Sequence, residues 1–111
     1  FYDKQKQPDK AIGTLEASQQ KHQRNAIHYQ IGKVCADYNI QLENGEKCLN
    51  AYLANYSAKD GVPKEWAYYR LAQIYRYKKE KSKALLWINK AIIGLPKIDV
   101  FKEEKALISR I

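Results

Sequence analysis

Apolar residues recur along this chain at spacings of three and four positions, and no segment of useful length alternates apolar with polar residues. Such spacing places apolar side chains on one face of an α-helix, whereas alternation is typical of a half-buried β-strand. The expected fold class is therefore all-α. The pattern predicts helices over about residues 8–20, 25–40, 44–56, 67–77 and 82–95, and a last helix from about residue 100.

Proline, glycine and aspartate mark where several of these helices begin and end. Pro8 stands in the first turn of the first helix, where the missing N–H has no helical partner to lose. Pro96 follows the end of the fifth helix, and Asp99 is the expected N-cap of the sixth. Asp60 and Gly61 predict a turn in the loop before the fourth helix. These signals divide the chain into helical hairpins joined by polar links.

The hairpin over residues 65–97 carries small and bulky residues at a regular set of spacings. They are Tyr68, Leu71, Ala72, Tyr75, Ala84, Ile88, Ala91 and Pro96. These spacings resemble those of the tetratricopeptide repeat, a helical hairpin of 34 residues. A weaker copy over residues 25–63 has His28, Ile31, Gly32, Cys35, Gly45 and Leu49 at the corresponding positions, and Tyr2, Ala11, Leu15 and Ser18 are in phase with them.

The resemblance implies one domain over residues 1–111, in which tetratricopeptide-type hairpins stack as a right-handed α-α superhelix. Its expected parts are a partial repeat over 1–24, repeats over 25–63 and 65–97, and a terminal or capping helix over 98–111. Small residues are expected where paired helices cross closely, at Gly32, Gly45, Ala72 and Ala84. Tyr52 stands where the family has Ala, so the packing around it is expected to differ.

Members of the family bind peptides or partner helices in a concave groove lined by the first helix of each hairpin. The resemblance carries the groove to Trp66, Tyr69, Arg70, Gln73, Arg76 and Tyr77, and to Tyr29, Gln30, Lys33 and Asp37 in the preceding repeat. Helical spacing places most of the first set on one face, which we expect to be exposed. Arginine would hold a carboxylate there and aromatic rings would cover apolar parts of the peptide. The alternative for Trp66 and Tyr69 is packing on the preceding hairpin or its long loop.

The formal net charge is +8, from 20 basic and 12 acidic residues, and this favours an anionic partner such as an acidic peptide, a nucleic acid or a lipid surface. Between Arg70 and Lys90, seven basic residues stand against Glu80 alone. The leading hypothesis is a non-catalytic interaction module or scaffold that binds an acidic peptide or partner helix. The alternatives are a nucleic-acid-binding helical repeat that uses Arg70–Lys90, and the interaction part of a larger enzyme or secretion-system protein.

Motifs of catalysis and phosphate binding are missing: the sequence has no Gly-rich phosphate loop, no CxxC and no HExxH. We therefore expect no enzyme activity, metal or cofactor. His28, Cys35 and Cys48 are three possible metal ligands, but His28 and Cys35 stand where the repeat places core residues, and a Cys without a disulfide is commonly a small buried hydrophobe. A disulfide between Cys35 and Cys48 is the alternative in an oxidising compartment.

Features that bear on localisation leave it open. No apolar run approaches the roughly 18 residues of a membrane span. The chain contains no Met, so we expect it to be a processed form or a fragment. Both the cytoplasm and an exported location are compatible with this pattern, and the oligomeric state is not indicated.

Overall fold

A computed structural model describes residues 8–22, 25–57, 59 and 62–111 of the chain. These residues form helices and no β-strand, so the predicted all-α class is confirmed. The helices are α1 (Pro8–His22), α2 (Asn25–Tyr38), α3 (Leu42–Ala54), α4 (Lys64–Tyr77), α5 (Lys81–Gly94) and α6 (Asp99–Ser109). Each predicted helix is present, with boundaries that differ by three residues or fewer. Tyr2 and the predicted turn at Asp60 and Gly61 lie outside the described residues.

Helix termini follow the local signals with one correction. α1 begins at Pro8 as predicted, and α5 ends at Gly94. The prediction that Asp99 is the N-cap of α6 is wrong. Asp99 is the first helical residue, because the extended backbone before the helix lies at Ile98, which makes no side-chain capping hydrogen bond. The carboxylate of Asp99 still lies in the first turn, where the helix dipole favours negative charge.

A left-handed residue reverses the chain between α4 and α5. Lys79 has a φ of 61°, and its N–H donates to the carbonyl of Arg76 at 3.0 Å. The N–H of Glu80 donates to the carbonyl of Tyr75 at 2.9 Å. These bonds satisfy carbonyls in the last turn of α4 that have no helical partner, so the helix ends in a tight turn and α5 folds back against it.

Two helical hairpins form the centre of the fold, α2 with α3 and α4 with α5. α4 also packs on both helices of the first hairpin, and α6 packs in the same way on both helices of the second. α1 packs on α2 at the other end. The fully buried core between them includes Leu49, Leu71, Ile74, Ile88, Phe101 and Ile108. Among the described residues, no helix is both long and apolar enough to cross a membrane.

Two glycines permit the close crossing of α2 and α3. A Cβ atom at Gly45 would lie 2.6 Å from the Cβ of Cys35, and one at Gly32 would overlap the side chain of Leu49. Real Cβ atoms do not approach other carbon atoms so closely, so a side chain at either position would push the helices apart. The predicted role of both glycines at a close crossing is therefore confirmed.

Tyr52 of α3 is a large residue in the core of the first hairpin. Its ring is fully buried and packs against Tyr29 and Tyr56 at centroid distances of 5.6 and 5.8 Å. Its hydroxyl donates to the carbonyl of Val62 at 2.5 Å, which attaches the loop before α4 to the core. A small residue at this position would leave a void and lose this hydrogen bond.

Candidate functional site

Helices α4 and α6 bury residues at the same register, 34 positions apart. The buried residues of α4 include Ala67, Arg70 and Ile74, and those of α6 are Phe101, Glu104 and Ile108. Spacings of three and four residues place each set on one side of its helix. That side faces the preceding helix of the row α2, α4, α6, so Arg70 and Glu104 occupy equivalent places at successive helix contacts.

Arg70 connects α4 to α2. Its guanidinium donates to the carboxylate of Asp37 at 2.5 Å and to the side-chain oxygen of Gln73 at 3.1 Å. It also lies 3.4 Å from the hydroxyl of Tyr29 and packs on the ring of Tyr69, 4.9 Å from the ring centroid. Arg70 is only 9% exposed. A buried arginine needs partners of this kind, because an unpaired charge in the interior is strongly unfavourable.

Arg76 forms the matching contact between α4 and α6. Its guanidinium donates to both carboxylate oxygens of Glu104, at 2.5 and 3.2 Å. Glu104 is 3% exposed, and burial raises the pKa of its carboxyl although Arg76 acts in the opposite direction. Burial alone would lower the pKa of Arg76, but the hydrogen bond to Glu104 raises it. Arg76 thus stays protonated, and its guanidinium also stacks on Tyr77, 4.7 Å from the ring centroid.

Three aromatic rings join α4 to α6 between these ion pairs. Phe101 is fully buried, and its ring centroid lies 4.9 Å from that of Trp66 and 5.3 Å from that of Tyr69. Burial raises the pKa of the Tyr69 phenol, which also lies in the field of both ion pairs. Neither interpretation of Trp66 and Tyr69 from the sequence included this contact: one expected an exposed face, and the other expected packing on the preceding hairpin or its loop.

The predicted groove residues fall into three classes of exposure. Gln30 and Lys33 of α2 are exposed, and they line a shallow groove with Asp37 of α2 and Leu15 of α1. Four residues are half-buried: Trp66, Tyr69, Arg76 and Tyr77. Three are buried: Tyr29, Arg70 and Gln73. The expectation that Arg70 and Gln73 are exposed is wrong, because their side of α4 faces α2. Asp37 is also exposed, and all ten predicted residues lie on α2 or α4.

Glu104 and Phe101 complete this region and were not among the predicted site residues. A signal for both was present in the sequence: Glu104 follows Arg70 by 34 positions, and Phe101 follows Ala67 by the same interval. A repeat of that length predicts that each contacts the preceding helix.

A second polar cluster joins the end of α4 to α3. The hydroxyl of Tyr75 donates to Glu46 at 2.7 Å, and the ammonium of Lys78 donates to the other carboxylate oxygen of Glu46 at 2.9 Å. Burial opposes ionisation of Glu46, but the hydrogen bonds from Tyr75 and Lys78 outweigh it and lower the pKa of the carboxyl. Burial and the bond to Glu46 raise the pKa of Tyr75. This cluster therefore connects the second hairpin to α3 of the first.

The three possible metal ligands have other contacts. His28 forms a hydrogen bond with the side-chain amide of Gln19 at 2.8 Å, and burial lowers the pKa of its imidazole. Cys35 and Cys48 are buried and are not joined by a disulfide, and burial raises the pKa of Cys48. In the described part of the chain, no group of three or more His, Cys, Asp or Glu side chains is arranged to hold a metal ion.

Comparisons with protein-family models, curated proteins and solved structures find no match to this chain. Functional assignment therefore depends on the geometry of α2, α4 and α6 and on the side chains that they present.

Proposed function

We propose that the chain is a tetratricopeptide-type interaction module that binds an acidic peptide segment of another protein. The binding surface is the side of the helix row on which Gln30, Lys33, Trp66, Tyr69 and Tyr77 lie, which we call the α2–α4–α6 face. The observation that carries the proposal is the repeated contact of this row, in which Arg70 and Glu104 each join a helix to the one before it.

The order of helix contacts supports stacking of the tetratricopeptide type. In such stacks the first helix of each hairpin packs on both helices of the preceding hairpin, and one hairpin alone cannot bury its apolar face. α4 and α6 both pack in this way. Ala67 and Phe101 are both buried, and so are Ile74 and Ile108. The members of each pair are 34 residues apart, which is the repeat length of the family.

The charges along the row suggest distinct roles for its cations. Arg70 and Arg76 are paired with carboxylates of the chain itself, so they hold the helices in place and keep Tyr69 and Tyr77 oriented. Lys33 is exposed beside the groove between α1 and α2, and its ammonium is available to a carboxylate of the partner. The half-buried aromatic rings offer rigid apolar area of the kind that anchors interfaces.

Pairing within the chain also weakens the case for a nucleic-acid-binding surface. Arg70, Arg76 and Lys78 belong to the basic stretch Arg70–Lys90, and each is paired with an acidic residue of the fold. Phosphate binding needs cations that can replace counterions along the nucleic-acid backbone. The remaining lysines of that stretch lie on α5 and beside it, away from the α2–α4–α6 face.

Selection from a displayed library of random peptides, followed by affinity measurement, tests the proposal. We expect the selected peptides to be enriched in Asp and Glu, and Lys33→Glu to weaken their binding by about tenfold, which corresponds to roughly 1.4 kcal/mol. Lys47→Glu on α3 is the matched control, since it makes the same charge reversal at another exposed lysine and should have little effect. Equal losses in the two variants would show only a general effect of net charge and contradict the assignment of the face.

A further inference from the structure

The outer side of α5 carries a row of exposed apolar and basic side chains, which we call the α5 stripe: Lys83, Leu86, Lys90 and Ile93. Leu86 is 53% exposed and Ile93 is 82% exposed, and they are seven residues apart, two turns along one side of the helix. The buried residues of α5, which are Ala84, Ile88 and Ala91, lie on the opposite side of the helix. The stripe is thus a protruding row on an outer helix, separate from the α2–α4–α6 face.

The fold itself does not require apolar residues at these places. Aligning Gly45 of α3 with Ala84 of α5 puts Lys47 at the position of Leu86 and Ala54 at the position of Ile93. In α3 this outer side is therefore polar or small, as solvent exposure favours. In α5, two large apolar side chains are exposed on one side of the helix, and grouped apolar exposure of this kind occurs at protein and membrane contacts.

Basic residues predominate around the stripe, although the carboxylate of Glu65 lies beside Gly94 at one end of it. Residues 78–97 contain six lysines and one acidic residue, Glu80, which gives a formal net charge of +5, and one of these lysines, Lys78, is paired with Glu46 of α3. Glu80 forms an ion pair with Lys83 at 3.2 Å, and Lys90 lies 4.7 Å from the ring centroid of Trp87 on the flank of the stripe. Lys83, Lys90 and Lys97 are all exposed. The partner of this surface must therefore combine negative charge with an apolar interior.

We propose that the α5 stripe binds the surface of an anionic lipid bilayer. Leu86 and Ile93 would enter the boundary between headgroups and acyl chains, as the apolar side chains of interfacial helices do. Long lysine side chains can keep their charge at the headgroups while their methylene groups contact the apolar layer. Trp87, half-buried beside the stripe, is of the residue type that prefers this interface.

The shape of the stripe favours a bilayer over an acidic protein. A protein partner is commonly anchored by side chains that fill a pocket on the receiving surface. Here the apolar side chains protrude from the helix, and among the described residues Ile93 is the most exposed of the large apolar ones. A bilayer accepts protruding side chains without a complementary pocket, and it supplies many negative headgroups within reach of the lysines.

Co-sedimentation of the whole 111-residue chain with vesicles tests this proposal. We expect binding to phosphatidylcholine vesicles that contain phosphatidylserine, and weak or no binding to phosphatidylcholine alone. The double variant Leu86→Ser with Ile93→Ser should lose about tenfold or more in affinity. Lys90→Gln should lose about fivefold, as expected for one lysine at an anionic surface. Val100→Ser with Leu107→Ser is the matched control on α6, where both residues are 39% exposed, and it should bind as the wild type does.

Three results would overturn the proposal: no binding to anionic vesicles, equal binding to neutral ones, or unchanged binding by the Leu86 and Ile93 double variant. Polyglutamate serves as a competing probe of an acidic protein partner. If it binds the stripe and anionic vesicles do not, the surface recognises an acidic protein and not lipid. Because the stripe is separate from the α2–α4–α6 face, the peptide-binding and vesicle experiments can fail independently.

Discussion

Arg70 of α4 and Glu104 of α6 occupy equivalent positions 34 residues apart, and each forms an ion pair with the preceding helix of the row. The polarity is reversed between the two contacts: Arg70 meets Asp37 at 2.5 Å, and Glu104 meets Arg76 at 2.5 Å. If α6 instead packed on α2, Glu104 would meet Asp37, and two carboxylates would repel each other. The reversal therefore disfavours packing of the helices in the wrong order.

Replacing Arg70 with Ala should destabilise the fold by about 1–3 kcal/mol. The substitution removes the partner of buried Gln73 and a contact of Tyr29, and both groups then lie in the interior with fewer hydrogen bonds. Urea unfolding followed by circular dichroism measures the change. Lys33→Ala on α2 is the control, because Lys33 is exposed and its loss should change stability by less than about 0.5 kcal/mol. Equal stability of the two variants would mean that the Arg70 contacts contribute nothing to stability.

The sequence and the structure differ most at Arg70, and the reason is physical. Periodicity alone assigns a charged residue to solvent, since unpaired charges are strongly disfavoured in an interior. Here Asp37, 33 positions earlier, neutralises the guanidinium and makes its burial possible. The pairing crosses from one hairpin to the next, so no local window of the sequence contains both residues. The helices, the close crossing at Gly45 and the all-α class depend on local spacing, and they were predictable.

Trp66 shows a related difference. Its position on α4 was predictable from the repeat, but its neighbour Phe101 lies on α6, which only loosely resembles the repeat in sequence. Phe101 alone provides the contact with Trp66 from α6. It is followed in sequence by four charged residues, 102–105, so the local pattern does not single it out. The orientation of α6 follows from packing against two helices at once. The contacts of α6 with α4 and α5 could therefore not be predicted from the sequence of α6 alone.

The stability contribution of Glu104 should depend on pH with a definite sign. Burial raises its folded-state pKa above the ordinary 4.5, so its contribution is fully present below the unfolded-state pKa and is lost as pH rises through the folded-state value. The free energy of unfolding of the wild type minus that of Glu104→Gln should therefore fall as pH increases above about 4.5. Urea unfolding of both proteins across this range provides the measurement, and a difference that rises with pH would contradict the assigned shift.

Glu46 should show the opposite dependence. Hydrogen bonds from Tyr75 and Lys78 lower its folded-state pKa below 4.5 in spite of burial, so its contribution is present above the unfolded-state pKa. That contribution is lost as pH falls through the folded-state value. Compared with Glu46→Gln, the wild type should lose its advantage on acidification. The same unfolding series tests it, with Glu104→Gln as the internal comparison, and parallel pH profiles for the two variants would rule out the proposed difference in environment.

Two glycine substitutions should have opposite effects on stability. Gly45→Ala places a methyl group against Cys35 and Ile74 at the crossing of α2 and α3, and it should destabilise by about 1–3 kcal/mol. Gly13→Ala in α1 meets nothing within 4 Å, and it should stabilise by up to about 1 kcal/mol because Ala favours the helix. Thermal unfolding of both variants measures these changes. A stabilised Gly45→Ala would show that the two helices do not cross closely.

Mapping the bound peptide by amide chemical shifts tests the central claim most directly. The measurement uses a ¹⁵N-labelled chain and an acidic peptide obtained by selection against it. The account predicts that the largest shifts occur on the α2–α4–α6 face, around Lys33, Tyr69 and Tyr77, and that α3 and the outer side of α5 change little. Shifts concentrated on α3 or on the α5 stripe, with the α2–α4–α6 face unchanged, would contradict the account.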